Sequence, residues 1–284
     1  MIQIDIRKLK TRSVFKTLVK HILLMAFSIS MLMPFFWMLS TALKEPSQVH
    51  AYPPIFIPNP IRWSNFPEAF SAAPFLNFFM NTTYVSFMTV IGTLIVCSLG
   101  AFAFARLNFK RSETIFNILL FTMMIPYTVR VIPLYSMMRA FNWIDTHWAL
   151  IVPPVASNVY GLFLLRQFMK SIPIEMDEAA RIDGASSFMI FRMIVLPLSK
   201  AGMATLALFL FKTSWNQYLP ALVYINTPRK NLITVGLTIF QGEFETAWHL
   251  MMAGAVVAVL PVILIYLAMQ KFFVKGIATT GVKG

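Results

Sequence analysis

Six stretches of 18 to 28 residues, each with at most one charge, limit what this chain can fold into more than any other feature: Val19 to Leu43, Phe78 to Ala105, Thr114 to Met138, Trp148 to Leu165, Ala201 to Tyr224 and Leu250 to Gln270. A hydrocarbon core about 30 Å thick needs about 20 helical residues to cross it, so each window has the length of a membrane span. Pro126, Pro133, Pro153 and Pro154 interrupt the third and fourth windows. Kinked or broken helices are expected there, tolerable where neighbouring helices re-satisfy freed backbone groups. The predicted fold is an all-α integral membrane protein with six transmembrane helices.

A soluble fold does not hide a chain that is 58% hydrophobic and 12% charged, with a mean hydropathy of +0.69. The net charge of +13 does not point to nucleic acid, because the basic residues fall in clusters between apolar windows rather than along one stripe. Cys97 is the only cysteine, so no intrachain disulfide forms and the redox compartment is not legible. The first apolar run is too long for a signal peptide and lacks a small-x-small cleavage site, so it is expected to stay as the first span.

Counting Lys and Arg orients the chain. One side collects 17: Arg7, Lys8, Lys10, Arg12, Lys16, Lys20, Arg106, Lys110, Arg111, Arg166, Lys170, Arg181, Arg192, Lys200, Lys271, Lys275 and Lys283. The other has 5, namely Lys44, Arg62, Arg139, Arg229 and Lys230. The positive side is cytoplasmic, which puts both termini and the segment 167–200 in the cytoplasm of a multi-pass plasma (inner) membrane protein. The expected division is a basic N-terminus over 1–18, a six-helix transmembrane body over 19–272 and a short tail over 273–284. Lys44 to Asn77, rich in proline and aromatics, reads as an ordered loop at the outer surface. Asn226 to His249 reads as a polar connector that can reach a partner, or as a plain connection.

Residues 167–200, QFMKSIPIEMDEAARIDGASSFMIFRMIVLPLSK, are too long and helix-prone for an ordinary connection. Pro173 can open a helix through Arg181, with Glu175, Asp177 and Glu178 near its positive end. Gly184 ends that turn, and a second helix follows from Ser186 or Ser187 with Phe188, Phe191 and Val195 on one face, until Pro197 starts the next span. Small residues at the bend let another protein approach the backbone. By physics alone a docking joint and a helix lying on lipid headgroups fit equally.

The run Glu178-Ala179-Ala180, then Gly184, then Ile194, Leu196 and Pro197 resembles the EAA motif of binding-protein-dependent ABC importer permeases. EAARIDGAS with LPLSK, Trp215-Asn216-Gln217 and the ending Gln270-Lys271-Phe272-Phe273-Val274-Lys275-Gly276 are similar to the maltose, multiple-sugar and glycerol-3-phosphate group. The resemblance implies a permease subunit that imports a sugar or oligosaccharide, or alternatively a polyol phosphate. Its implied partners are a second homologous permease, an ATPase dimer, an extracytoplasmic solute-binding protein and membrane lipid. Glu178, Ala179, Ala180, Asp183, Gly184, Phe188, Leu196 and Pro197 would form the coupling segment. Gly242, Glu243 and Glu245 would approach the binding protein. The chain has no G-x-x-x-x-G-K-[ST] run, so ATP and its Mg belong to the ATPase and no cofactor or catalytic site is expected here.

Lys212 lies about twelve residues into its window, or about 18 Å, which puts it near the bilayer midplane. None of the six windows contains Asp or Glu, so Lys212 needs a wet cavity, a partner's residue or backbone carbonyls. With Trp215, Asn216, Gln217 and Tyr218 it forms the expected substrate path, since aromatic faces and amides suit hydroxyl-rich rings; packing against a second permease would use similar residues. Arg130, between Pro126 and Pro133, is expected to snorkel outward or to meet the outer partner. An ion-driven secondary transporter would need acidic or histidine relays within spans, and a membrane enzyme a clustered site; His21, His50, His147 and His249 are scattered.

Overall fold

The computed structural model describes residues 6–242 and 245–280, with side chains over 16–242 and 245–270. In chain order the helices are α1 (Ile6–Ala42), α2 (Pro46–Val49), α3 (Asn65–Ala72), α4 (Phe75–Arg106), α5 (Ser112–Thr122), α6 (Tyr127–Ala140), α7 (Trp148–Ala156) and α8 (Val159–Lys170). They continue with α9 (Glu175–Ile182), α10 (Ser187–Ile190), a π turn (Phe191–Val195), α11 (Leu196–Leu198), α12 (Lys200–Trp215), α13 (Leu219–Tyr224), α14 (Ile233–Gly236) and α15 (Trp248–Thr280). Among the described residues, Lys16–Ala42, Phe75–Arg106 and Trp248–Gln270 are long and apolar enough to cross a membrane unbroken. Three bent pairs supply the remaining candidate spans: α5 with α6, α7 with α8, and Ser187–Leu198 with α12. The chain forms two compact units, Met1–Ala69 with Phe240–Val256, and Phe70–Ile239 with Val257–Gly284.

In the first unit α1 exposes Leu23, Phe27, Ile29 and Phe36, as a helix whose solvent is lipid should. Its last carbonyls are capped from a distance: the Asn65 amide donates to Ala42 O at 2.9 Å and to Lys44 O at 2.8 Å. Lys44 is buried, its ammonium 3.9 Å from the centre of the Trp37 ring. The proline-rich loop is ordered as expected: Phe56 meets Trp37 edge to face at 5.3 Å, and Ser40 Oγ donates to Phe56 O at 2.5 Å.

In the second unit α4 packs against α7, α8 and α12. Cys97, Ala101 and Phe102 of α4, Leu165 and Met169 of α8, and Leu206 and Leu210 of α12 form one buried cluster. Small residues set the spacing. A methyl group at Gly161 would come within 3.1 Å of both Cys97 Sγ and a Leu206 methyl, so the three helices meet where one side chain is missing.

Several breaks differ from the expected ones. The third window is broken, as expected at Pro126 but not at Pro133: α5 and α6 turn through 100° at 123–126, where Pro126 is the N-cap of α6, and Pro133 stays inside that helix. The fourth bends by 41° at Ser157 and Asn158 rather than at Pro153 or Pro154. Asn158 takes the N-cap position there, its side chain accepting from Gly161 N at 2.7 Å. The fifth window ends early, since α12 stops at Trp215 and α13 is a separate helix. Pro197 does not start the next span either: the helix runs on to Leu198, and a 74° turn at Ser199 leads into α12. The π turn precedes Pro197, which has no N–H to continue the ladder.

The first part of the segment after α13, residues 229–239, packs onto α4. Leu232 and Ile233 are buried, Ile233 N donates to Thr82 Oγ1 at 2.8 Å, and Asn81 donates to the carbonyls of Arg229 and Asn231. Residues 232–239 read LITVGLTI, and their apolar side chains draw the segment back onto α4. At the other end of the chain, α15 continues past the apolar window to Thr280, so the expected tail begins as helix.

Candidate functional site: a docking elbow and a polar cavity on one helix

α9 begins at Glu175 and ends at Ile182, displaced slightly from the expected Pro173-to-Arg181 helix. Its end is a Schellman motif. Gly184 N donates to Arg181 O at 3.0 Å and Ala185 N to Ala180 O at 2.9 Å, with Gly184 at φ +82°. Ser186 then caps α10, accepting from Met189 N at 3.3 Å. One helix thus ends and the next begins within four residues, 183–186.

The elbow has a rooted face and a free face. Ile190, Phe191 and Val195 belong to the α4–α8–α12 cluster, with Ala180, Ala185 and Leu196 packed against it. Facing away are Glu178, Ala179, Asp183, Gly184 and Pro197, together with Ile182 at 87% exposure, Phe188 at 64% and Met193 at 68%. Of the expected coupling residues, six therefore lie on the free face and two, Ala180 and Leu196, on the rooted one.

The sequence reading missed the ionic anchor beneath this elbow. Arg106, the last residue of α4, places Nε 3.4 Å from Asp177 Oδ2, with side chains 3% and 0% exposed. Arg106 Nη2 donates to Ile172 O at 2.8 Å. Beside it the buried Arg166 pairs with Glu113 and donates through Nε to Phe104 O at 3.1 Å, while Lys170 reaches Glu113 at 3.3 Å. Asp177 looked like one of three acids in a helix's first turn; only its burial sets it apart.

At the other end of α12, Asn216, Gln217 and Tyr218 line a cavity of about 440 Å³ that also takes in Tyr127, Arg130 and Asn158. Arg130, on α6 beyond the 100° turn, lines this cavity. Gln217 has a second task. Pro154 has no N–H for Leu150 O, and the Gln217 amide donates to that carbonyl at 3.4 Å. Two of the five expected path residues lie elsewhere. Trp215 is buried, stacked on Phe211 and donating from its indole to Ala258 O at 3.0 Å. Lys212 is exposed and does not line the cavity.

The expected binding-protein residues lie in the first unit. Gly242 N donates to Glu245 O at 3.1 Å beside a bridge between Gln241 and Thr246, and an added Cβ at Gly242 would stand 2.5 Å from that oxygen. Glu245 lines a cavity of about 270 Å³ with His50 and His249. Glu243 falls outside the described residues.

Comparison with known proteins agrees with this architecture. Residues 97–279 match the family described as the binding-protein-dependent transport system inner membrane component. The melibiose/raffinose/stachyose import permease of Bacillus subtilis is 34% identical over 253 residues, covering 88% of this chain and 91% of that protein. The sn-glycerol-3-phosphate transport system permease of Rhizobium meliloti is 32% identical over 272 residues, covering 93% and 96%. A crystal structure of a bacterial ABC transporter involved in the import of the acidic polysaccharide alginate has a chain that superimposes with a TM-score of 0.81 at 24% identity, over 92% of this chain and 98% of that one. With a matched region spanning well over half its length, the chain belongs to the binding-protein-dependent transport system inner membrane component family.

Proposed function

We propose that the chain is one of two permease subunits of an ATP-driven importer that moves a sugar or oligosaccharide into the cell. A second, homologous permease completes the passage, two ATPase subunits bind at the basic, cytoplasmic face, and an extracytoplasmic binding protein delivers substrate. Both termini are cytoplasmic. ATP and its Mg sit in the ATPase, and this chain contributes movement rather than chemistry. The observation that carries the reading is the joining of elbow and cavity by α12. A helix of 16 residues, about 24 Å long, has the rooted elbow at its first residue and Asn216 to Tyr218 just past its last.

The mechanism follows from that connection. The free face of the elbow exposes Ile182, Phe188 and Met193 together with Glu178, Arg181 and Arg192, a mix of apolar and charged side chains of both signs that suits a cleft on the ATPase. Closure of the ATPases on ATP moves the docked elbows, and the packed cluster beneath transmits the displacement to α4, α8 and α12 as a body. The equilibrium between inward- and outward-open forms shifts by the difference in docking energy between the two.

Co-purification tests the docking claim. The intact chain is expected to capture its ATPase, whereas Glu178→Lys, which reverses the charge on the free face, and Gly184→Val, which strains a left-handed position, each lower capture at least tenfold. Undiminished capture by both variants would discard the docking role.

A further inference from the structure

Arg130 is the one cation lining the cavity at the end of α12, and no Asp or Glu lines it. Its Nε is buried and donates to nothing. Among the described residues Arg130 has no ion pair; the ring of Tyr127, 5.9 Å from its Cζ, is at the outer limit of a cation–π contact. Gln217 also lines the cavity, with its Nε2 committed to Leu150 O. The cavity therefore takes in an unpaired guanidinium beside the hydroxyl of Tyr218 and the side-chain amides of Asn158, Asn216 and Gln217.

A guanidinium in an apolar span is costly unless something complements it, and its planar fork matches two oxygens of an oxyanion. The hydroxyl and side-chain amides that share the cavity suit a ligand that also carries hydroxyls. The volume is within the range of small-molecule sites, roughly 300–1,000 Å³. We propose that the transported substrate is an acidic carbohydrate or polyol, with a carboxylate, sulfonate or phosphate that Arg130 receives while Gln217 and Tyr218 bind its hydroxyls. The inference rests on the importer reading above and on the cavity lying in the transport path.

The experiment uses the assembled importer in proteoliposomes with its cognate binding protein, and trigalacturonate, glycerol 3-phosphate and raffinose as probes. An acidic probe is expected to raise the melting temperature of the binding protein and to be taken up. Arg130→Gln lowers that uptake on the order of ten- to a hundredfold, the loss of one charge-assisted hydrogen-bond pair, and Arg130→Lys recovers part of it. Stabilisation and uptake of raffinose alone would overturn the proposal. So would Arg130→Gln complexes that import the acidic probe at the original rate or that lose the sister permease on purification, the last because Arg130 would then pair across the subunit interface. A further arm separates path from charge: Ser157→Cys on the cavity wall, blocked with a bulky maleimide after assembly, is expected to stop uptake, the native Cys97 being buried. Blocked uptake with an inert Arg130→Gln would overturn the charge assignment and leave the path standing. Unblocked uptake would remove the cavity from the path and the proposal with it.

Discussion

Arg106 and Asp177 lie 71 positions apart in the sequence yet meet in a buried ion pair at 3.4 Å, joining the end of a membrane span to the helix that carries the EAA motif. The contact is ionic without an aligned hydrogen bond, because Arg106 Nε and both Asp177 carboxylate oxygens have no hydrogen-bond partner. Such a pair adds little net stability over an apolar replacement, but removing one partner strands the other charge.

Asp177→Ala is therefore expected to destabilise the protein by about 3–5 kcal/mol, and the double replacement Arg106→Met with Asp177→Leu by far less. Thermal melting of the purified importer measures both. A mechanical role adds a second expectation: the double variant, although stable, couples ATP hydrolysis to transport less tightly, because an apolar contact at this joint fixes direction less well than a charge pair. Equal coupling ratios in the double variant and the original chain would limit Arg106 and Asp177 to a folding role.

A second clasp responds to acid. Asp145, at φ +59°, accepts from Thr227 N at 2.8 Å, Thr227 Oγ1 at 2.7 Å and Lys230 Nζ at 2.8 Å, tying the turn after α6 to the one after α13. The Lys230 ammonium, and then the Thr227 donors, hold its carboxyl well below the usual carboxylate range. A depressed folded-state pKa stabilises above the unfolded value of about 3.9 and loses that contribution as pH falls toward the folded value. Because the pair is near the surface, Asp145→Asn should cost only about 1 kcal/mol at pH 7. The difference in melting temperature between the two proteins should shrink steadily below about pH 4. A gap unchanged on acidification would mean that the carboxylate's charge contributes nothing.

The Gln217 amide substitutes for the N–H that Pro154 lacks, and a double-mutant cycle isolates this. Gln217→Leu should cost about 1–2 kcal/mol in the original chain and clearly less in a Pro154→Ala background, where the substituted alanine would supply its own N–H to Leu150 O. Additive effects would show that the two positions do not interact.

Much of the fold was legible because a bilayer admits few solutions: windows of spanning length with almost no charge can only be helices, and their count survives in the structure. The EAA run was legible for a local reason, since Gly184 at φ +82° and the caps on either side of it depend on residues within a few positions. The tightness of α4 against its neighbours was not, because Gly161 and Cys97 matter only once they face each other.

The candidate site divides along the same line. Asn216, Gln217 and Tyr218 stood out as polar letters in an apolar run, and Trp215 was grouped with them although its ring packs into the core. Arg130 was read as snorkelling outward or meeting the outer partner, and its place in the cavity was not legible, because prolines mark where a helix can bend but not the 100° through which it turns. Hydropathy and local capping thus determined the number of spans and the elbow from sequence alone. Which charges are buried, which carbonyls borrow a distant donor and which polar groups share a cavity were decided by tertiary structure, because those energies depend on neighbours brought from 67 to 151 residues away.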